Sequence, residues 1–229
     1  MHPFITGSSK GRNKKDIYGE KQNRGLLFCV EFSSNISARI FKYLTVELTK
    51  GGHILKLIVI DIQKGITDER LYDFVGFIKN VVSIIDAARK NGVEVIYVQH
   101  DDGPGTGFSV GDADFEIADQ VAPKSGEKAF VKEINSCFGN KEFVEYLDKQ
   151  KDKALMIVGL QTNFCIDASV KSAFERGYRV IIPKGTNSTF DNDYMDGETT
   201  YKYYNEMMWP NRFADCVSLD KAIGMMERA

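Results

Sequence analysis

Alternating strands and helices predict an α/β domain whose mainly parallel sheet is covered by helices on both faces. Three observations carry that expectation. Short apolar, β-branched runs recur at Lys56–Asp61, Val93–Val98, Ala154–Val158 and Tyr178–Ile182. Helical patterns lie between them, most clearly over Asp68–Lys90, where Leu71, Phe74, Val75, Ile78, Val81, Val82, Ile85 and Ala88 keep the three/four spacing of one face. The chain has 229 residues, 43% apolar and 27% charged, which is enough for one large core.

Residues 1–25 are polar and basic and read as disordered. Leu26–Val30 is an apolar patch too short for a signal peptide, and no small-residue cleavage site follows it. Residues 31–53 are an orphan segment in which Ile36–Leu48 could be helical. A second expectation is that residues 1–53 are translated leader. Lys50-Gly51-Gly52 is how the ribosome-binding sequence AAAGGAGG reads in frame, and Leu55 could be a TTG start codon. The folded domain is then 54–229.

From Leu55 onward each element has a local reason. Asp68 and Glu69 suit the start of the first helix, and Asn91-Gly92 its end. After the second strand, Asp101–Gly126 is a Gly- and Asp-rich loop, long enough to be either functional or disordered. A third strand near Lys128–Val131 leads to a helix over Lys141–Lys149. The run Ala154–Val158 is a buried strand, followed by a turn and a helix that stops at Gly177. Tyr178–Ile182 is a fifth strand ended by Pro183, and a helix over Gly197–Trp209 and a short strand at Asp215–Val217 close the domain. Crossovers between parallel strands should be right-handed.

A net charge of −2 gives no electrostatic case for nucleic acid or an anionic membrane surface. No apolar run approaches the length of a membrane-spanning helix. Cys29, Cys137, Cys165 and Cys216 are scattered with no C-x-x-C pair, so neither a zinc site nor a disulfide framework is expected, and a reducing cytoplasm fits.

Ligands of an open α/β sheet bind outside the carboxyl ends of its strands. Asp61 closes the first strand, Lys132 follows the third and Cys165 follows the fourth. Singly, each has a bland alternative: a loop cap, a solvated charge, a small core residue. Together they place an acid, a cation and a nucleophile on one edge. Cys165 falls in the first turn of a helix, where unpaired N–H groups favour a thiolate. Lowering a thiol pKa by two units corresponds to roughly 2.7 kcal/mol of preferential stabilisation.

These residues resemble the isochorismatase-like cysteine hydrolase family, the superfamily of nicotinamidases and N-carbamoylsarcosine amidohydrolases. Asp61-Ile62-Gln63 is similar to its D-x-Q, Lys132 to Phe138 to its K-x-x-x-S-x-F, and Gly159 to Cys165 to its G-x-x-T-x-x-C loop. Val98–Asp102 and Asn187–Asp191 also resemble family segments, and the likeness runs from about Leu55 to Met225 in the right order. It implies a three-layer αβα sandwich of the doubly wound kind. It also implies a catalytic triad of Asp61, Lys132 and Cys165, and hydrolysis of a small amide-type C–N bond through a thioester. The backbone N–H groups of Gln161 and Cys165 would form the oxyanion hole, with a cis peptide at Leu160–Gln161.

Gln63, His100, Phe138 and Thr162 are candidate substrate contacts. Each has a structural alternative: loop satisfaction for Gln63, a lone hydrogen-bonded histidine for His100, core for Phe138, a helix N-cap for Thr162. The resemblance implies no cofactor and a homodimer or higher homo-oligomer. The aromatic group Tyr194, Tyr201, Tyr203, Tyr204 and Trp209 could shape a lid, a subunit contact or ordinary core. Nicotinamidases carry a histidine-rich metal site, whereas this chain has only His2, His53 and His100, so no metal is expected. True isochorismatases cleave a vinyl ether without a nucleophilic cysteine. A phospho-accepting receiver domain would need clustered acids where Ile62-Gln63 stand, and a non-catalytic binding protein would have no need of all three triad positions.

Overall fold

The computed structural model describes residues 55–150 and 153–228. The expectations for residues 1–53 lie outside the described residues.

Seven strands form one sheet: β1 (Leu55–Ile60), β2 (Glu94–His100), β3 (Lys128–Lys132), β4 (Ala154–Leu160), β5 (Arg179–Pro183), β6 (Asn187–Ser188) and β7 (Asp215–Val217). Their order is β3-β2-β1-β4-β5-β7, with β6 beside the end of β4, and every pairing between them is parallel. The chain winds outward from β1 in one direction and from β4 in the other. The topological switch point, where such sheets open a crevice, therefore lies between β1 and β4.

Alternate residues of the central strands feed two cores. Leu57 and Val59 of β1 and Met156 and Val158 of β4 meet α1 (Phe74–Lys90) and α5 (Leu219–Met226) on one face. Ile58, Ile60, Leu155 and Ile157 meet α2 (Lys141–Asp148) and α3 (Asp167–Glu175) on the other. Strands buried on both faces explain the near-continuous apolar runs in the sequence. The expected three-layer α/β sandwich is the architecture found.

Some boundaries move. The first helix begins at Phe74 rather than Asp68, because the Asp68 carboxylate takes the Arg70 backbone N–H and guanidinium into a local turn. Asp73 caps the helix in their place, accepting from the Gly76 N–H. The inward stripe is Phe77, Val81, Ile84, Ile85 and Ala88, and Val75, expected inside, is exposed. The helix expected over Gly197–Trp209 is α4 (Gly197–Lys202) continued by a π-helical turn, Tyr203–Met208. Neither the two-residue β6 nor α5 is predicted from the sequence.

Two features position the site. Strand β2 runs to His100, two residues beyond its expected end, and its register sets His100 opposite Lys132. At Gly159, paired with Ile60 across the switch point, φ is +131° and a Cβ would stand 1.9 Å from the Ile60 carbonyl oxygen. Only glycine allows β1 and β4 to approach so closely there.

Candidate active site

The carboxyl ends of β1, β2, β3 and β4 deliver Asp61, His100, Lys132 and the Cys165 loop to one edge of the sheet. Asp61 follows β1 with φ +53°, its N–H donating to the Val98 carbonyl. Cys165 lies in a π-helical turn, Thr162–Ile166, that leads into α3, and the Leu160–Gln161 peptide entering that turn is cis. Lys132 reaches inward from the last residue of β3, and its side chain is fully buried.

The ammonium of Lys132 is the hub. Its Nζ lies 2.7 Å from Asp61 Oδ2, 2.9 Å from His100 Nδ1 and 3.3 Å from Cys165 Sγ. A carboxylate oxygen of Asp61, a ring nitrogen of His100 and the Cys165 sulfur lie within 4.8 Å of one another, a donor set that could hold a metal ion. The lysine ammonium already stands within hydrogen-bond reach of all three. The other Asp61 oxygen, Oδ1, is buried and has no hydrogen-bond partner among the described residues.

Burial raises the pKa of Asp61, and the Lys132 charge opposes that rise. Burial and the Asp61 charge push the Cys165 thiol up to about 12, outweighing Lys132. Desolvation and Asp61 favour the thiol and Lys132 favours the anion, and the Asp61 carboxylate stands beside the sulfur as a base.

The remaining candidates divide. Gln63 is fully buried: its amide donates to the carbonyls of His100 and Phe115 and accepts from the His100 N–H. It therefore clasps β2 and the following loop. Thr162 is buried and donates to Asn187 Oδ1; no side-chain cap is made there, so the N-cap expectation gives way. Phe138 packs against Phe143 and Tyr178 beneath the Arg176 guanidinium, in the same apolar cluster as Cys165. Gln161 Oε1 and Asn163 Oδ1 both lie within reach of the Thr189 hydroxyl, which ties the cysteine loop to the segment after β6.

Trp209 is also core, its indole N–H donating to Asp167 at the start of α3. Among the residues not singled out from sequence, Asn135 Oδ1 lies 3.8 Å from Cys165 Sγ and Asp102 Oδ1 lies 2.9 Å from His100 Nε2. Phe164 and Ile134, neighbours of Cys165 and Asn135, are exposed apolar groups beside the cluster. The Asp101–Gly126 loop is folded down by Phe115, Ala118 and Val121, with the Tyr97 hydroxyl donating to the Val121 carbonyl. A cavity of about 310 Å³ lined by Tyr72, Phe77, Asn80, Lys184, Tyr201 and Leu219 contains none of the cluster, so chemistry rather than cavity size locates the site.

The fold is a three-layer α/β sandwich that carries an acid, a cation and a thiol at the carboxyl edge of its sheet. The chain belongs to the isochorismatase family, whose domain model matches residues 56–215. It is 25% identical over 203 residues to a ureidoacrylate amidohydrolase of Agrobacterium fabrum, covering 71% of this chain and 89% of that protein. It is 25% identical over 166 residues to nicotinamidase 3 of Arabidopsis thaliana, covering 66% and 82%. A cysteine hydrolase from Pseudomonas syringae pv. phaseolicola shares the fold, with a TM-score of 0.70, 19% identity, and coverage of 80% and 98%. Among the described residues, no helix is long and apolar enough to cross a membrane.

Proposed function

We propose that this chain hydrolyses a small amide-type C–N bond through a thioester on Cys165, with Asp61 as general base and acid and Lys132 as the fixed cation. The observation that carries this reading is the buried ammonium held 2.7 Å from Asp61 and 3.3 Å from the Cys165 sulfur. The amidohydrolase names of its relatives support it.

Asp61 takes the thiol proton as sulfur attacks the carbonyl carbon, and its orphaned Oδ1 is the acceptor available for that proton. The oxyanion forms against the backbone N–H groups of Gln161 and Cys165. Protonated Asp61 gives the proton to the departing nitrogen, the C–N bond breaks, and the thioester remains. Water then attacks the thioester and loses a proton to Asp61. The C–S bond breaks, the acid leaves, and the thiolate recovers the proton from Asp61. Throughout, Lys132 keeps the sulfur and the carboxylate within one positive field, which matters more at a buried site than in water.

A panel of small amides, carbamoyl compounds and ureides, assayed for amine or ammonia release, tests the reading. At least one substrate should turn over, and Cys165→Ala should abolish that turnover while leaving the fold intact. Release by both proteins alike overturns the proposal.

A further inference from the structure

We propose that His100 and Asp102 form a positioning pair for Lys132, extending the reactive cluster by a hydrogen-bonded chain from the buried ammonium to solvent. An ammonium has three donors and no acceptor. Two of those donors face Asp61 and Cys165, and the third faces His100 Nδ1 at 2.9 Å. His100 Nδ1 must therefore offer a lone pair, so the ring carries its proton on Nε2.

The other end of the ring makes the same demand. Nε2 lies 2.9 Å from the carboxylate of Asp102, an acceptor. Both contacts select one neutral tautomer, and a proton on Nδ1 would point at the ammonium. The charged groups around the ring are Asp61 from the end of β1, Lys132 from β3, and Asp101 and Asp102 from its own loop.

The backbone is held as firmly as the ring. Gln63 accepts from the His100 N–H at 2.8 Å and donates to its carbonyl at 3.0 Å, while the Asp101 N–H donates to the Lys132 carbonyl at 2.8 Å. Exposure rises along the chain, from a fully buried Lys132 side chain through His100 at 18% to Asp102 at 54%. Without the imidazole acceptor, one ammonium proton is left unsatisfied in a buried site. The lysine is then less firmly aimed.

The effect on turnover rests on the hydrolase reading above; the effect on the thiol does not. The test is therefore alkylation of Cys165 by iodoacetamide, followed by peptide mass spectrometry, alongside turnover where a substrate is known. His100→Leu should slow alkylation about tenfold and lower kcat about 10- to 100-fold, with KM changed less than about threefold. His100→Asn places an amide oxygen near the position of Nδ1 and should recover most of that loss. Asp102→Ala, which releases the tautomer, should fall between the two.

Equal alkylation rates for wild type and the Leu variant, or equal losses in the Leu and Asn variants with melting transitions intact, overturn the proposal. If the Leu variant fails to fold, Asp102→Ala decides: a slower thiol supports the pair and an unchanged one sinks it. A full alkylation pattern with no amide turned over would retain the pair and reject the hydrolase.

Discussion

Asp61 combines features that rarely meet in one residue. It is non-glycine at φ +53°, it is buried, one oxygen holds the Lys132 ammonium and the other has no hydrogen-bond partner among the described residues. A side chain held in the left-handed region costs about 1 kcal/mol or more, so the surrounding strands must over-determine its position. Its raised pKa has a kinetic consequence with a definite sign. Protonated Asp61 could not take the thiol proton, so on the proposed mechanism activity should be absent at low pH and appear as pH rises through the raised value. The acid limb of kcat/KM should lie above the ordinary carboxylate value of about 3.9. In Asp61→Asn the limb should disappear, with kcat reduced on the order of 10³-fold; a limb unmoved in that variant assigns it to another group. At this scale the sequence was legible where a residue type is unusual for its place. Asp61 and Lys132 stand directly after apolar runs, and Cys165 one short turn after another. The packing and hydrogen bonds of Gln63, Thr162 and Phe138 depend on distant partners that their local sequence does not show. Asn135 and Asp102 were overlooked because each sits near a stronger signal, though their spacing from Lys132 and His100 was a readable clue.

Elements place these side chains through a few contacts that tolerate little change. In Gly159→Ala the new methyl group would meet the Ile60 carbonyl at 1.9 Å, a backbone atom that cannot rotate away. We expect a loss of more than about 3 kcal/mol or no soluble protein, read by urea unfolding; a variant with an unchanged midpoint contradicts the close approach. Trp209 pins the start of α3 through Asp167, which also receives the Lys171 ammonium. Trp209→Phe removes one buried hydrogen bond and part of the ring, and should lower stability by about 1–3 kcal/mol, measured by circular dichroism. Strands were read closely because their apolar runs are dense and bounded. The start of α1 was misread because Asp68 looks like a helix start until Arg70 captures it. The pair of residues forming β6 has no periodicity to show; its pairing comes from β4 alone.

The sheet couples both faces of the molecule. Each central strand contributes alternately to two cores, so neither core can loosen without the strands that define the other. Phe77→Ala, on the α1 face, should destabilise by about 3–5 kcal/mol. Fluorescence of Trp209, the single tryptophan, reports from the opposite face, and its unfolding midpoint should shift as far as that of circular dichroism. A dichroism shift without a fluorescence shift would mean the layers unfold separately. The α/β class was legible because alternation of elements survives errors in their ends. Strand order was not, since it depends on pairings between residues far apart in the chain.

That order has a bearing on how the protein is made. Asp61 and Cys165 become neighbours only when β1 pairs with β4, a contact that skips the whole of β2 and β3. Such a distant pairing is among the slower events of folding. A nascent chain leaving the ribosome therefore carries an ordinary, unaided sulfhydryl, and Cys165 meets Asp61 only as the centre of the sheet closes.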